Sequence, residues 1–142
     1  MKLLKWNDEE MGMGIEIIDT QHQKLIIIIN DLAKAIEAKK ENEVLLGIVE
    51  SLMEYTQYHF TTEENFFDEF GFENRSLHKS EHKFFVHHFL GIKKGLEKGV
   101  KARDKSVIKL SHDILDYLVN WFLTHIKGSD REYMELLKQN GL

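Results

Sequence analysis

The chain has 142 residues, a formal charge of −5, 42% apolar and 11% aromatic residues, which suits one ordinary domain with a substantial core. Acidic and basic residues are mixed along it, so it lacks the basic stripe of a nucleic-acid footprint and no nucleic-acid partner is expected. It has no cysteine, which excludes disulfides, iron–sulfur clusters and thiol nucleophiles together.

No proline interrupts the chain, which leaves long helices open to it. After an N-terminal arm, 1–18, four segments carry helical periodicity. The first spans 20–39, with Asp19 as N-cap and His22, Leu25, Ile26, Ile29, Ala33 and Ile36 on one face. Its isoleucine run would also suit a strand, but the flanking period and the length favour helix. A turn over 39–42 leads to a second helix, 43–70, stopped by Gly71. Its inner stripe reads Leu45, Ile48, Leu52, Thr56, His59, Glu63, Phe66 and Phe70.

Past the break at 71–74, a third helix covers 75–98 with His78, His82, Phe85, Phe89, Ile92 and Leu96 aligned. A turn over 99–105 follows, and Ser106 can cap a fourth helix, 106–127. That helix aligns Val107, Ser111, Ile114, Leu118, Trp121 and His125. Gly128 to Asp130 end it, and a short amphipathic helix closes the chain over 130–139. Short connections between four helices predict a single all-α domain, 1–142, with an up-down-up-down bundle.

Every one of these helices places histidine on its apolar face. One such residue would ordinarily be a core histidine bonded locally. Here His22, His59, His78, His82 and His125 share the position, and Glu63 joins them. Each buried polar group left without a partner costs about 1–3 kcal/mol, and a total stability of about 5–15 kcal/mol cannot carry several. A shared metal centre satisfies them together. His59 with Glu63 and His78 with His82 are four apart, so each pair projects from one face. His125 and Asp130 are five apart, and Gly128 lets the chain turn Asp130 back. In an antiparallel bundle all seven positions lie toward one end.

Seven ligands exceed what one zinc takes. They suit two six-coordinate metals bridged by two carboxylates and a small oxygen ligand. Imidazole with carboxylate fits iron, and spacing alone leaves manganese and cobalt open.

The motifs Ile18-Asp19-Thr20-Gln21-His22, His59-Phe60-Thr61-Thr62-Glu63-Glu64, His78-Lys79-Ser80-Glu81-His82 and Trp121-Phe122-Leu123-Thr124-His125 with Asp130 resemble the hemerythrins. The similarity is nearest to single-domain bacteriohemerythrins and runs from Trp6 to about Tyr133. It implies an oxo- or hydroxo-bridged pair of iron ions. His78, His82 and His125 would hold one iron, His22 and His59 the other, and Glu63 and Asp130 would bridge them. Oxygen would bind reversibly at the open position on the second iron. One departure is the loop 71–74, where bacterial relatives often carry Tyr-Pro.

Carboxylate-rich di-iron sites favour oxygen activation, and five neutral imidazoles with two carboxylates favour reversible binding. The expectation is therefore an oxygen-binding protein and not an enzyme. A sensor module, or an enzyme acting on peroxide or nitric oxide, are the alternatives. Ile26, Phe66, Trp121 and Phe122 are candidates for an apolar oxygen pocket, although each also serves as ordinary core. His87, His88 and His112, the pairs Lys39-Lys40 and Lys93-Lys94, and Glu64 are expected at the surface. Trp6 is expected to pack the arm on the bundle. The N-terminus lacks the apolar core of a signal peptide, and the longest apolar run, Leu25 to Ile29, is too short to span a membrane. A soluble, cytoplasmic protein without a membrane partner is expected, and a monomer is assumed.

Overall fold

The computed structural model describes residues 3–98 and 105–142, and the expected turn over 99–105 falls almost wholly outside them. The chain forms α1 (Asp8–Met11), α2 (Glu16–Glu37), α3 (Glu41–Phe70), α4 (Arg75–Glu97), α5 (Lys105–Lys127), a 3-10 turn (Ser129–Tyr133) and α6 (Met134–Gln139). The helices α2 to α5 make an up-down-up-down bundle. No helix among the described residues is long and apolar enough to cross a membrane.

The connections explain the antiparallel order. After α2 the chain turns within three residues, with Lys39 at φ 57°. Lys40 donates its backbone N–H to Ala35 O at 2.8 Å, which satisfies one of the end carbonyls of α2. The helix α3 stops where expected. Gly71 adopts φ 70°, a left-handed conformation open to glycine without a Cβ clash. Phe72 N–H then bonds back to Phe67 O at 2.9 Å.

Several boundaries differ from the sequence reading, among them the end of α2 at Glu37, the start of α3 at Glu41 and the start of α6 at Met134. The helix α2 begins at Glu16, a full turn before Thr20. Asp19 is not its N-cap: the carboxylate sits inside the first turn and accepts from Met13 N at 2.9 Å and Gly14 N at 3.1 Å. It fastens the arm, and its charge still suits the helix N-terminus. At the other end of the bundle α5 already includes Lys105, so Ser106 stands within its first turn.

The core has two parts. The larger includes Leu25, Leu32, Val49, Leu52, Phe89 and Phe122. The smaller, at the bundle's other end, joins Met13, Ile15, Ile18, Phe67, Phe72, Tyr133 and Leu137. On α3 the buried line passes through Leu45, Val49, Leu52, Thr56, His59, Phe60, Glu63 and Phe67. Ile48, Phe66 and Phe70, read as inner residues, sit at its edge and are half-buried. A 3.6-residue period fixes the face only to within one position, and the neighbouring helices decide between 66 and 67. Trp6 packs half-buried against the larger core, as expected. His87, His88, His112, Lys39 and Lys40 are exposed.

Candidate metal centre

The polar layer lies between the two apolar clusters. His22, early in α2, and His59 with Glu63, late in α3, meet His78 and His82 from the first turns of α4. His125 arrives from the end of α5. After it the chain turns at Gly128, where a Cβ would stand 2.9 Å from Thr124 O, and the 3-10 turn swings Asp130 inward. The seven side chains are 0–5% exposed.

Their ring nitrogens and carboxylate oxygens converge. Asp130 Oδ1 lies 2.9 Å from His78 Nε2 and 3.0 Å from His125 Nε2. Its Oδ2 lies 3.0 Å from His22 Nε2. Glu63 Oε1 lies 3.1 Å from His59 Nε2 and 3.3 Å from His82 Nε2. The Nε2 atoms of His22 and His59 are 3.2 Å apart. Two groupings follow in which every ligand atom lies within 4.8 Å of the others: Glu63, His78, His82, His125, and His22, His59, Glu63, Asp130. Glu63 belongs to both, and Asp130 reaches histidines of both.

These distances fit metal ligation. Adjacent donors about 2.1 Å from one octahedral metal stand about 3 Å apart. Hydrogen bonding does not account for the layer. His82 Nε2, His125 Nε2, Glu63 Oε1 and Asp130 Oδ2 are buried and make no hydrogen bond, although each lies near another polar atom. Buried groups of this kind are costly unless something else satisfies them. A donor set of five imidazoles and two carboxylates suits iron.

The charges sense one another strongly in the metal-free chain. Burial depresses the His125 pKa, but the close negative charge of Asp130, with help from Glu81, pushes it up to about 10. Burial and the charge of Asp130 work against Glu63 ionisation, and His59 and His82 outweigh them, so its pKa falls below the ordinary carboxylate value. Asp130, though buried, is likewise held well below its usual range by His125, His22 and His78.

Rings seal the layer on both sides. Phe60 stacks on His82 at 3.9 Å between centroids, 8° from parallel. Phe122 meets His22 edge-on at 6.3 Å. From the smaller cluster, Phe67 stands 4.8 Å from His78, and Tyr133 stands 5.6 Å from the same ring.

Four pocket residues were named from sequence. Ile26 is buried one turn beyond His22, and Phe122 is fully buried beside His22. Phe66 is not turned to the histidines: its half-buried ring stacks on Phe70, and Phe67 takes the inner place. Trp121 stacks on His125 at 5.0 Å and 15°, so it borders the three-histidine side and not the His22–His59 side. It also lines an open groove of about 460 Å³ between α4 and α5.

Several neighbours went unrecognised in the sequence. Glu64, expected at the surface, accepts from His82 Nδ1 at 2.9 Å. One residue past Glu63 is one step of helical rotation toward α4, which is the signal that was available. Gln21 Oε1 lies 2.7 Å from His59 Nδ1, and Glu81 lies 3.5 Å from His125 Nδ1. The Tyr133 hydroxyl donates to Glu63 Oε2. Tyr133 is fully buried, and that burial with the charges of Asp130 and Glu63 holds its pKa well above normal, so it remains a donor. Arg131 donates to the backbone oxygen of Glu10 at 2.7 Å and ties the arm to the turn that carries Asp130.

The chain is similar to known proteins over nearly its whole length. Residues 13–137 match the model of the hemerythrin HHE cation binding domain. A bacteriohemerythrin from Clostridium acetobutylicum is 33% identical over 133 residues, covering 92% of this chain and 98% of the relative. A bacteriohemerythrin from Stenotrophomonas maltophilia is 28% identical, covering 97% of this chain and 84% of its own. The crystal structure of a wild-type hemerythrin superposes with a TM-score of 0.81 at 23% identity, covering 96% of this chain and 98% of that one, which supports the fold. With a family match over residues 13–137, the chain belongs to the hemerythrin family.

Proposed function

We propose that this protein holds two iron ions and binds oxygen reversibly, for storage, delivery or buffering. The observation that carries the reading is the sharing of Glu63 between two overlapping groups of buried ligand atoms. One grouping would hold a single ion. Two groupings joined by Glu63 and Asp130 suit a bridged pair. In this reading His78, His82 and His125 would hold one ion and His22 and His59 the other, with Glu63 and Asp130 available to both.

When bound by these residues, ferrous iron would supply the redox chemistry for reversible oxygen binding. The chain's own part is to hold, orient and exclude. Gln21 accepts the Nδ1 proton of His59, which leaves Nε2 as a lone-pair donor facing inward. The chain Gln21 Nε2 to Thr62 Oγ1, 3.2 Å, and Thr62 Oγ1 to Tyr58 O, 3.1 Å, fixes the amide that does this. Tyr133 holds Glu63 through Oε2. Phe60, Phe67 and Phe122 keep bulk water from the layer. On the His22–His59 side, Ile26 and Phe122 form the apolar wall of the oxygen site.

Reversibility is the property to test. Ferrous-loaded protein in a sealed cell with an oxygen electrode should take up one oxygen per pair of irons and return it when the gas phase is exchanged. Sustained consumption of peroxide or nitric oxide in the presence of a reductant would instead make the centre an enzyme.

A further inference from the structure

The ring nitrogens facing away from the centre meet partners of unequal charge. Behind the three-histidine group stand two carboxylates: Glu64 at 2.9 Å from His82 Nδ1 and Glu81 at 3.5 Å from His125 Nδ1. The first is a good hydrogen bond and the second a longer ionic contact. Their side chains are 31% and 38% exposed, so each anion remains partly hydrated while it touches its ring. Behind the two-histidine group, no carboxylate among the described residues bonds to an outer ring nitrogen. His59 Nδ1 bonds to the neutral amide of Gln21, itself 3% exposed. His22 Nδ1 is buried and makes no hydrogen bond.

A carboxylate accepting the outer N–H of a ligating imidazole makes the inner nitrogen a stronger donor and fixes its direction. A neutral acceptor does this less, and an absent one not at all. The number of histidines already favours the first position, three against two. The outer partners act in the same direction and can be varied without touching a ligand.

We infer that Glu64 and Glu81 are positioning residues that make the His78–His82–His125 position the tighter of the two and the first to fill, while Gln21 keeps the His22–His59 position weaker. This rests on the two-metal reading above. It adds an order of loading and assigns that order to residues outside the ligand set. The chain thereby anchors one metal firmly and leaves the other with fewer and weaker donors.

The test is stepwise binding of Co2+ alone to the metal-free protein under anaerobic conditions, followed by calorimetry and by visible absorption. Far-UV circular dichroism checks the fold of each variant. The parent should bind two ions in two resolved steps. Glu64→Gln and Glu81→Gln should each weaken the first step, by about 10–100-fold for Glu64→Gln and by less for the longer Glu81 contact, with the second step little changed. Gln21→Glu should tighten the second step and narrow the gap. Glu69→Gln, which removes an exposed charge from the same helix, should leave both steps unaltered. Two steps in the parent that stay unaltered in Glu64→Gln and Glu81→Gln, or that weaken equally, would overturn this inference and leave the two-metal reading standing. A parent that binds one Co2+ or none would overturn both.

Discussion

Removing the hydroxyl of Tyr133 isolates one buried contact of the centre. Tyr133 and Glu63 are each 0% exposed, so the phenol that donates to Glu63 Oε2 has no water to replace it. A hydrogen bond to a charged group contributes about 1.5–3 kcal/mol, and Tyr133→Phe keeps the ring that packs on Phe67 at 4.9 Å. The metal-free variant should therefore lose about 2 kcal/mol, about a 30-fold change in the folded-to-unfolded ratio. For a chain of this size that corresponds to about 6 °C in Tm. The sign with pH follows from Glu63. Its folded pKa lies below the ordinary 4.5, so the contact stabilises fully above that value and its contribution fades as pH falls through the lower folded pKa. Thermal unfolding of metal-free parent and variant at neutral and acidic pH reads both effects. A loss under about 0.5 kcal/mol at neutral pH would refute the reasoning, because Glu63 would then not depend on the phenol.

His59→Ala should remove one of two histidines from the weaker position and take the iron content from two per chain to one, with oxygen uptake lost. Metal analysis beside an oxygen titration checks this, and unchanged uptake would contradict the ligand assignment. The metal-free chain should be most stable at mildly acidic pH. His125 is raised to about 10, so its contribution is complete below its ordinary 6.5 and is lost as pH rises from there through 10. Asp130 and Glu63 are lowered, so theirs is lost as pH falls below the carboxylate range. Metal loading requires neutral imidazole and should abolish the alkaline loss, while acidification should release metal; Tm against pH for both forms shows it. Phe67→Ala should cost about 3–5 kcal/mol, and Phe66→Ala clearly less, by chemical denaturation. Equal losses would undo the phase assigned to α3.

The four long helices were legible because apolar residues recur with a single period and the breaks between them are short. The clustering of the histidines and carboxylates was legible for a related reason. His59–Glu63 and His78–His82 are four apart, and chain order in an antiparallel bundle brings His22 and His125 to the same end. What escaped the sequence depends on neighbours in space. Whether Phe66 or Phe67 faces inward is settled by how α3 meets α4 and the tail. Asp19 looks like a cap by position, yet it turns upstream because the arm returns past it at Met13 and Gly14. Glu64, Glu81 and Tyr133 read as ordinary polar residues until the rings they touch are in place. Trp121 shares a stripe with His125, and only the packed structure shows that its ring stacks on that histidine.

Reconstitution of the metal-free chain with ferrous iron under anaerobic conditions, followed by metal analysis and visible spectra, tests the central claim most directly. Two irons per chain, with a visible band that grows as oxygen is added and fades as it is removed, is the predicted result. A single iron or none, or a pair that oxidises once to a stable ferric state without returning oxygen, would contradict it.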